Sequence, residues 1–183
     1  MDGGSGVAAS GLAGNFDQLA ELKAKYPDLK VIMSLGGYNG SAFFSAAATP
    51  ASRQAFVSSC INMFIKGNAP AASGLPVTGA EKPILPAGAA GGIFDGFDID
   101  WEYPADNNGA TGNLYSSADT ENFVLLLREF RTQLDALRRT SGESYTLTVE
   151  MPAGVQNAQY FEPAAMARYV NDEVVMDYDF QGP

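Results

Sequence analysis

Hydrophobic residues recur along the chain with two different periods, and the period separates helices from strands. Apolar positions three or four apart predict helices over residues 15–26, 50–66, 123–137 and 163–169. Short apolar runs, or alternation with a period of two, predict strands at 30–35, 94–104, 145–151 and 173–180. Helices and strands therefore alternate, an order that indicates an α/β fold with about four parallel strands.

Residues that cap or break helices mark the predicted boundaries. Asn15 is a predicted cap of the first helix, and Thr49 followed by Pro50 predicts the start of the second. Gly67 is expected to close that second helix, and Gly142 to end the long third one.

Two segments lack hydrophobic periodicity. Residues 1–14 are rich in Gly, Ala and Ser and are interpreted as a flexible N-terminal stretch. Residues 68–92 are rich in Gly, Pro and Ala and are interpreted as a loop insertion. The remainder, 15–183, is expected to form a single domain that contains this loop.

Composition narrows the possible partners. The chain has 183 residues, a formal net charge of -10 and no His, which excludes His-based triads and His metal sites. An acidic chain is a poor match for nucleic acid or an anionic membrane, whereas a neutral polymer is compatible with it. The lone Cys60 cannot form an internal disulfide and is expected to be buried.

Targeting signals are not visible in the sequence. No apolar run approaches the ~20 residues of a membrane-spanning helix. The first residues, MDGGSGVAASG, lack the basic and apolar regions of a secretory signal. We therefore expect either an intracellular protein or a chain whose natural beginning is missing.

The segment FDGFDIDWEYP, residues 94–104, carries the strongest chemical signal. Side chains alternate between faces of a strand, so the acids are predicted to share one face and the apolar residues the other. The acids are Asp98, Asp100 and Glu102, and the apolar residues are Phe97, Ile99 and Trp101. Neighbouring like charges raise one another's pKa values, which suits proton chemistry.

Glu102 is the candidate general acid because it comes last on the predicted strand. A carboxylic acid donates protons near neutral pH only if its pKa is raised. The alternative is a strand whose acids face water, but strands of a parallel sheet are usually covered on both faces. Asp100 and Glu102 project from one strand, with Cα atoms ~6.6 Å apart. Most glycosidases place two carboxyl groups on opposite sides of the scissile bond, and Asp100 and Glu102 are poorly placed to flank a sugar ring in this way. If the substrate is a sugar, the nucleophile is therefore expected from elsewhere, and the substrate's own acetamido group is one known source.

Three ordered motifs resemble family 18 glycoside hydrolases, the chitinases and their relatives. Residues 95–102, DGFDIDWE, resemble the family's DGxDxDxE signature. Residues 34–37, SLGG, resemble its SxGG motif, and residues 176–179, MDYD, resemble its MxYD motif. The resemblance implies a partial TIM (β/α)8 barrel, since the family's first two and last two strands have no counterpart here, and it implies a site at the carboxyl ends of the strands.

The resemblance also implies roles for individual residues in substrate-assisted hydrolysis of β-1,4-linked N-acetylglucosamine. Glu102 would protonate the glycosidic oxygen and later activate water, and Asp100 would orient the acetamido group. Asp98 would share a proton with Asp100. Tyr178 would hydrogen-bond the acetamido oxygen, and Asp179 would contact the distorted sugar.

Supporting roles are implied for the other motif residues. Ser34 and Asp95 would support the catalytic acids without touching substrate. The expected sugar contacts are Met176, Gly36, Gly37 and Tyr103. From the residues alone, the two glycines could simply end a strand. Likewise, Tyr178 could be a core aromatic residue.

The expected substrate is chitin or a chitooligosaccharide, with no cofactor and no metal. The weak likeness of residues 106–109 to a calcium loop is interpreted as a solvated turn. A chitin-binding relative without turnover and an endo-β-N-acetylglucosaminidase remain alternatives to a chitinase, for which endo action is expected. The resemblance implies an extracellular protein, weak or absent activity for these residues alone, and no particular oligomeric state.

Overall fold

A computed structural model describes residues 12, 14–68 and 86–179. The strands in this part of the chain are β1 (Ile32–Gly36), β2 (Gly96–Asp100), β3 (Thr146–Pro152) and β4 (Asp172–Met176). The helices are α1 (Asn15–Lys25), α2 (Phe44–Ala47), α3 (Arg53–Cys60), α4 (Asp119–Ser141), α5 (Val155–Ala158) and α6 (Pro163–Met166). A π-helical segment, Ile61–Ile65, directly follows α3.

The strands form one sheet in the order β1-β2-β3-β4, and every pair is parallel. The predicted α/β fold with four parallel strands is therefore confirmed. Parallel pairing aligns the carboxyl ends of all four strands at one edge of the sheet.

The chain divides into two compact units. The first contains Met1–Val31 and Ser59–Asp95, and the second contains Ile32–Ser58 and Gly96–Pro183. All four strands belong to the second unit.

Aromatic rings form the core of the second unit. Trp101 is 1% exposed and stacks on Phe44 of α2, with ring centroids 5.5 Å apart. Trp101 also packs on Phe123 of α4, with ring centroids 5.1 Å apart, and Phe97 of β2 packs on Phe130 of the same helix. The apolar residues of β2 thus point away from its acids, as the alternation predicts.

The sequence of the long helix α4 explains why this segment is helical. Its buried face repeats every three or four residues, acids occupy its first turn, and Arg138 and Arg139 lie in its last turn, where they complement the helix dipole. Gly142 ends the helix in the left-handed conformation, with φ 78°, which confirms the predicted stop. At the other end the buried carboxylate of Asp119 accepts hydrogen bonds from Ser45 Oγ, at 2.8 Å, and from the Ser116 amide, at 2.7 Å.

In the first unit, apolar and ionic contacts converge on two adjacent residues. Phe94 packs edge-on against Phe16 and Phe64. Asp95 binds the ammonium groups of Lys23 and Lys30 and accepts a 2.8 Å hydrogen bond from the Val31 amide.

Cys60 also belongs to the first unit. It is buried, as predicted, and burial raises the pKa of its thiol to about 11. The thiol therefore stays protonated at neutral pH.

Several predicted boundaries are wrong by a few residues. Asn15 lies inside α1 rather than capping it, because Gly14 is the cap. α3 begins at Arg53, four residues after Thr49, whose carbonyl accepts from the Arg53 amide. β1 is only partly buried, since among the described residues it pairs with β2 alone. The short helices α2 and α5 were not predicted.

Two interpretations fall largely outside the described residues. Of the stretch 1–14 the structure describes residues 12 and 14, and of the loop 68–92 it describes 68 and 86–92, which contain turns. The assignment of 15–183 to one catalytic domain stays a prediction. No helix in the described ranges is long and apolar enough to cross a membrane.

Candidate active site

Asp98 lies at the centre of the sheet and accepts hydrogen bonds from hydroxyl groups on both neighbouring strands. Ser34 of β1 donates to its Oδ2 at 2.9 Å, and Thr148 of β3 donates to its Oδ1 at 2.6 Å. The parallel register places both donors directly opposite Asp98. Two hydroxyl donors and 8% exposure make Asp98 a fixed, satisfied carboxyl group.

Asp100 is less well satisfied than Asp98. Its Oδ1 atom is buried and has no hydrogen-bond partner in the described part of the chain. Burial, and then the nearby charges of Glu102, Asp98 and Glu150, raise the pKa of Asp100 to about 7. Asp100 is therefore expected to change protonation state near neutral pH.

Glu102 lies beyond the strand, because β2 ends at Asp100. The regular alternation thus covers Asp98 and Asp100, whereas Glu102 is placed by the loop that follows. It is 9% exposed. Burial, and then a hydrogen bond to the Glu102 carboxylate, raise the pKa of Tyr103. The phenol of Tyr103 therefore contacts the carboxyl group of Glu102. This contact is additional to the sugar contact expected from the sequence.

A cavity of about 180 Å³ lies beside Glu102 at the carboxyl ends of β2, β3 and β4. Its lining residues are Glu102, Tyr103, Pro152, Ala153, Gly154, Asn157, Met176, Tyr178 and Asp179. The cavity therefore brings the DGxDxDxE and MxYD motifs together.

Tyr178 and Asp179 follow β4 rather than lying within it. The Tyr178 ring is 61% exposed, so it is not a core aromatic residue. Desolvation, and then the carboxylates Glu150, Asp100 and Glu102, raise the pKa of the Tyr178 phenol. The phenol thus stays protonated and can donate a hydrogen bond.

Gly36 and Gly37 bring the end of β1 close to Asp100. A Cβ on Gly36 would lie 2.0 Å from the Asp100 carbonyl oxygen, and a Cβ on Gly37 would lie 3.7 Å from Asp100 Oδ2. The Gly37 amide donates a 2.8 Å hydrogen bond to the Asp100 carbonyl. Neither glycine lines the cavity, so the structure gives both a packing role beside Asp100.

Asp95 is not brought to these acids. It precedes β2, at the opposite end of the strand from Glu102, and its described partners are Lys23, Lys30 and the Val31 amide. Burial opposes ionisation, but these donors together hold the pKa of Asp95 below its ordinary value.

Sequence reasoning missed three residues of this region. Thr148 binds Asp98. Glu150 lies two residues further along β3, and its pKa is raised first by burial and then by the nearby charges of Asp98 and Glu102. Their alternation in residues 145–151 was a signal for a shared face. Asn157 of α5 lines the cavity and hydrogen-bonds Tyr103, and no sequence pattern marks it.

The acids are not arranged as a metal site. Within residues 12, 14–68 and 86–179, no group of three or more Cys, Asp or Glu side chains could hold a metal ion. The expectation that the site uses no metal stays a prediction.

The sequence model of the glycosyl hydrolases family 18 matches residues 2–183. The chain therefore belongs to this family of glycoside hydrolases. It is 36% identical over 172 residues to chitinase A1 of Niallia circulans, covering 93% of this chain and 21% of that protein.

Solved chitinases share the fold. The catalytic domain of psychrophilic chitinase B from Arthrobacter TAD20 has a TM-score of 0.85 and 44% identity, over 95% of this chain and 39% of that chain. A class V chitinase from Nicotiana tobaccum, solved in complex with NAG4, has a TM-score of 0.61 and 26% identity, over 92% of this chain and 40% of that one. The prediction of part of a (β/α)8 barrel is confirmed, and the chain spans less than half the length of these relatives.

Proposed function

We propose that this site hydrolyses β-1,4-linked N-acetylglucosamine polymers with retention of configuration, using the substrate's acetamido group as the nucleophile. The observation that carries the proposal is the cavity that Glu102 and Tyr178 share. Asp100 lies two residues before Glu102, whose charge contributes to the raised pKa of Asp100 after burial. A proton donor, a phenol and a buried acceptor are the groups that such a reaction needs. The three relatives described above are all named chitinases, which supports the same substrate class.

In the first step, protonated Glu102 donates its proton to the glycosidic oxygen, and the bond from that oxygen to C1 breaks. The acetamido carbonyl oxygen attacks C1 and closes a positively charged oxazolinium ring. Asp100 accepts the acetamido N–H, for which its unpaired buried Oδ1 atom is suited. Tyr178 donates a hydrogen bond from its phenol to the acetamido oxygen and so orients that oxygen.

In the second step, the Glu102 carboxylate removes a proton from water, whose oxygen attacks C1 and opens the ring. Asp98, held by Ser34 and Thr148, shares a proton with Asp100 and compensates its charge. Water exclusion and fixed dipoles make these charge effects larger than they would be in solution.

The remaining motif residues have binding or supporting roles in this proposal. Asp179 and Met176 contact the sugar from the end of β4, and Tyr103 both contacts sugar and holds Glu102. Gly36 and Gly37 allow the sugar and the end of β1 to approach Asp100. Asp95 acts only on stability, through Lys23 and Lys30.

Endo action on chitin outside the cell is part of the proposal, and these 183 residues alone are expected to hydrolyse chitooligosaccharides weakly or not at all. Chitin binding without turnover and cleavage of N-glycans are the competing outcomes. The intact acid Glu102 favours turnover over binding alone.

Incubation of the purified chain with chitotetraose and chitohexaose tests the proposal, with Glu102→Gln as the matched variant. We expect β-anomeric products by ¹H NMR, a product series typical of internal cleavage, and a ~10²–10⁴-fold lower rate for the variant. Equal rates for wild type and variant would contradict the role of Glu102. Cleavage of a high-mannose glycopeptide but not of chitotetraose would identify the alternative substrate, and chitin pull-down without products would identify a binding protein.

A further inference from the structure

The backbone of Glu102 needs partners that the sheet does not supply. β2 ends at Asp100, two residues earlier, so neither the amide nor the carbonyl of Glu102 joins the parallel ladder. Glu102 is nevertheless buried, and buried backbone groups are nearly always hydrogen-bonded. Two side chains take the place of the missing ladder.

Ser41, in the loop between β1 and α2, binds the amide of Glu102. Its hydroxyl oxygen accepts a 3.0 Å hydrogen bond from that amide, and Ser41 is fully buried, at 0% exposure. The same hydroxyl has two carbonyl acceptors within reach, Gly37 at 2.8 Å and Asp100 at 3.1 Å. A hydroxyl group has one hydrogen and two lone pairs, so Ser41 accepts from the Glu102 amide and shares its single hydrogen between the Gly37 and Asp100 carbonyls, of which Gly37 is the nearer.

Asn113 binds the other backbone group of Glu102. Its Nδ2 donates a 3.0 Å hydrogen bond to the Glu102 carbonyl. Gly109 packs against the same carbonyl, where a Cβ would lie 2.3 Å from the oxygen. The amide of the next residue, Leu114, donates a hydrogen bond to the carbonyl of Ala42, which is adjacent to Ser41. The loops that carry Ser41 and Asn113 are therefore bonded to each other.

We propose that Ser41 and Asn113 are positioning residues that hold the backbone of Glu102 and thereby aim its carboxyl group into the cavity. The catalytic side of this inference rests on the proposed function of Glu102. Neither side chain touches the reacting atoms. A displacement of about 1 Å at a catalytic group can cost 10²-fold in rate, so loss of either hydrogen bond should lower kcat more than it changes KM.

Ser41→Ala and Asn113→Ala test this inference, and Ser45→Ala is the matched control. Ser45 is another buried serine of the same region, 8% exposed, but its hydroxyl binds Asp119 rather than Glu102. Amide hydrogen exchange and the ¹³Cδ titration of Glu102 by NMR report on its backbone and carboxyl group without requiring turnover. We expect exchange of the Glu102 amide to be at least ~10-fold faster in Ser41→Ala. The ¹³Cδ titration curve should shift in both variants and remain unchanged in Ser45→Ala.

Steady-state hydrolysis of chitohexaose adds the catalytic readout. We expect kcat to fall about 10- to 100-fold in each test variant, with KM within about twofold. An unchanged Glu102 titration in folded Ser41→Ala and Asn113→Ala overturns the inference, as does an unchanged kcat. If Ser41→Ala does not fold, the Asn113→Ala variant decides the question by itself, because Asn113 is partly exposed and its substitution is less disruptive. If the wild-type chain shows no turnover, the NMR result alone decides the positioning role.

Discussion

Thr148 of β3 donates a 2.6 Å hydrogen bond to Oδ1 of Asp98 on β2. The two residues are paired in the parallel register, and both are buried, at 7% and 8% exposure. Ser34 of β1 binds the other carboxyl oxygen. Because Asp98 thus joins three strands through one carboxyl group, a change in either donor affects both the sheet and the site.

Thr148→Val keeps the shape of the side chain but removes its hydroxyl group. We expect the free energy of unfolding to fall by about 1–3 kcal/mol, because a buried carboxyl oxygen loses its donor. Urea denaturation followed by circular dichroism measures the change. Thr140→Val is the control, since its hydroxyl donates to the Leu137 carbonyl at an exposed position of α4, and a change within about 0.5 kcal/mol is expected. Equal effects of the two substitutions would show that the Asp98 contact adds no stability.

Asp100→Asn should change how stability depends on pH. The pKa of Asp100 rises from an ordinary 3.8 to about 7 on folding, so the folded state binds more protons than the unfolded state between these values. The contribution of Asp100 to wild-type stability therefore falls as pH rises through this window. The uncharged Asn removes that loss. Thermal unfolding at pH about 5 and about 8 should show the variant gaining stability relative to wild type at the higher pH, and an equal difference at both pH values would refute the raised pKa.

Gly36→Ala tests the close approach between β1 and β2. Gly36 has φ 117°, and a Cβ there would meet the Asp100 carbonyl oxygen at 2.0 Å, so the backbone has to move. Gly142 also has a positive φ, of 78°, but open space around its missing side chain. We expect Gly142→Ala to cost about 1–2 kcal/mol for the backbone conformation alone. Gly36→Ala should cost at least about 2 kcal/mol more. Comparable unfolding midpoints for the two variants would mean that the approach at Gly36 relaxes freely.

Asp95→Asn should destabilise the first unit by about 1–3 kcal/mol near neutral pH, because Lys23 and the Val31 amide lose a charged acceptor. The folded-state pKa of Asp95 is lowered, so its contribution is present above the ordinary value of 3.8 and is lost as pH falls below it. Denaturant unfolding at pH about 7 and about 2.5 should show the difference from wild type shrinking at the acidic pH. A difference that does not depend on pH would show that ionisation of Asp95 contributes nothing.

The sequence was most informative where a single element determines the outcome. Alternation along residues 94–104 predicted that Asp98 and Asp100 share a face and that Trp101 packs on the opposite side, against helices. The apolar stripe and Gly142 likewise predicted α4 and its end. These features depend on local backbone geometry, which the periodicity of one element records.

Features that depend on two elements were not predictable in the same way. The contact of Thr148 with Asp98 requires the register between β2 and β3, which no local pattern encodes. Glu102 was assigned to the strand, yet its position depends on Ser41 and Asn113 in two different loops. Asp95 belongs to the resembling motif, but the lysines that it binds lie more than 60 residues away in sequence.

The grouping of Asp98, Asp100, Glu102 and Glu150 also has a consequence for which sugars the site admits. Burial, and then the repulsion of the neighbouring carboxyl groups, raise the pKa values of Asp100 and Glu150, and the grouped acids produce a negative local potential. Such a potential stabilises a sugar ring that becomes positively charged and repels one that carries sulfate or carboxylate substituents. As part of the proposed function, we therefore expect the same residues to disfavour binding of anionic polysaccharides.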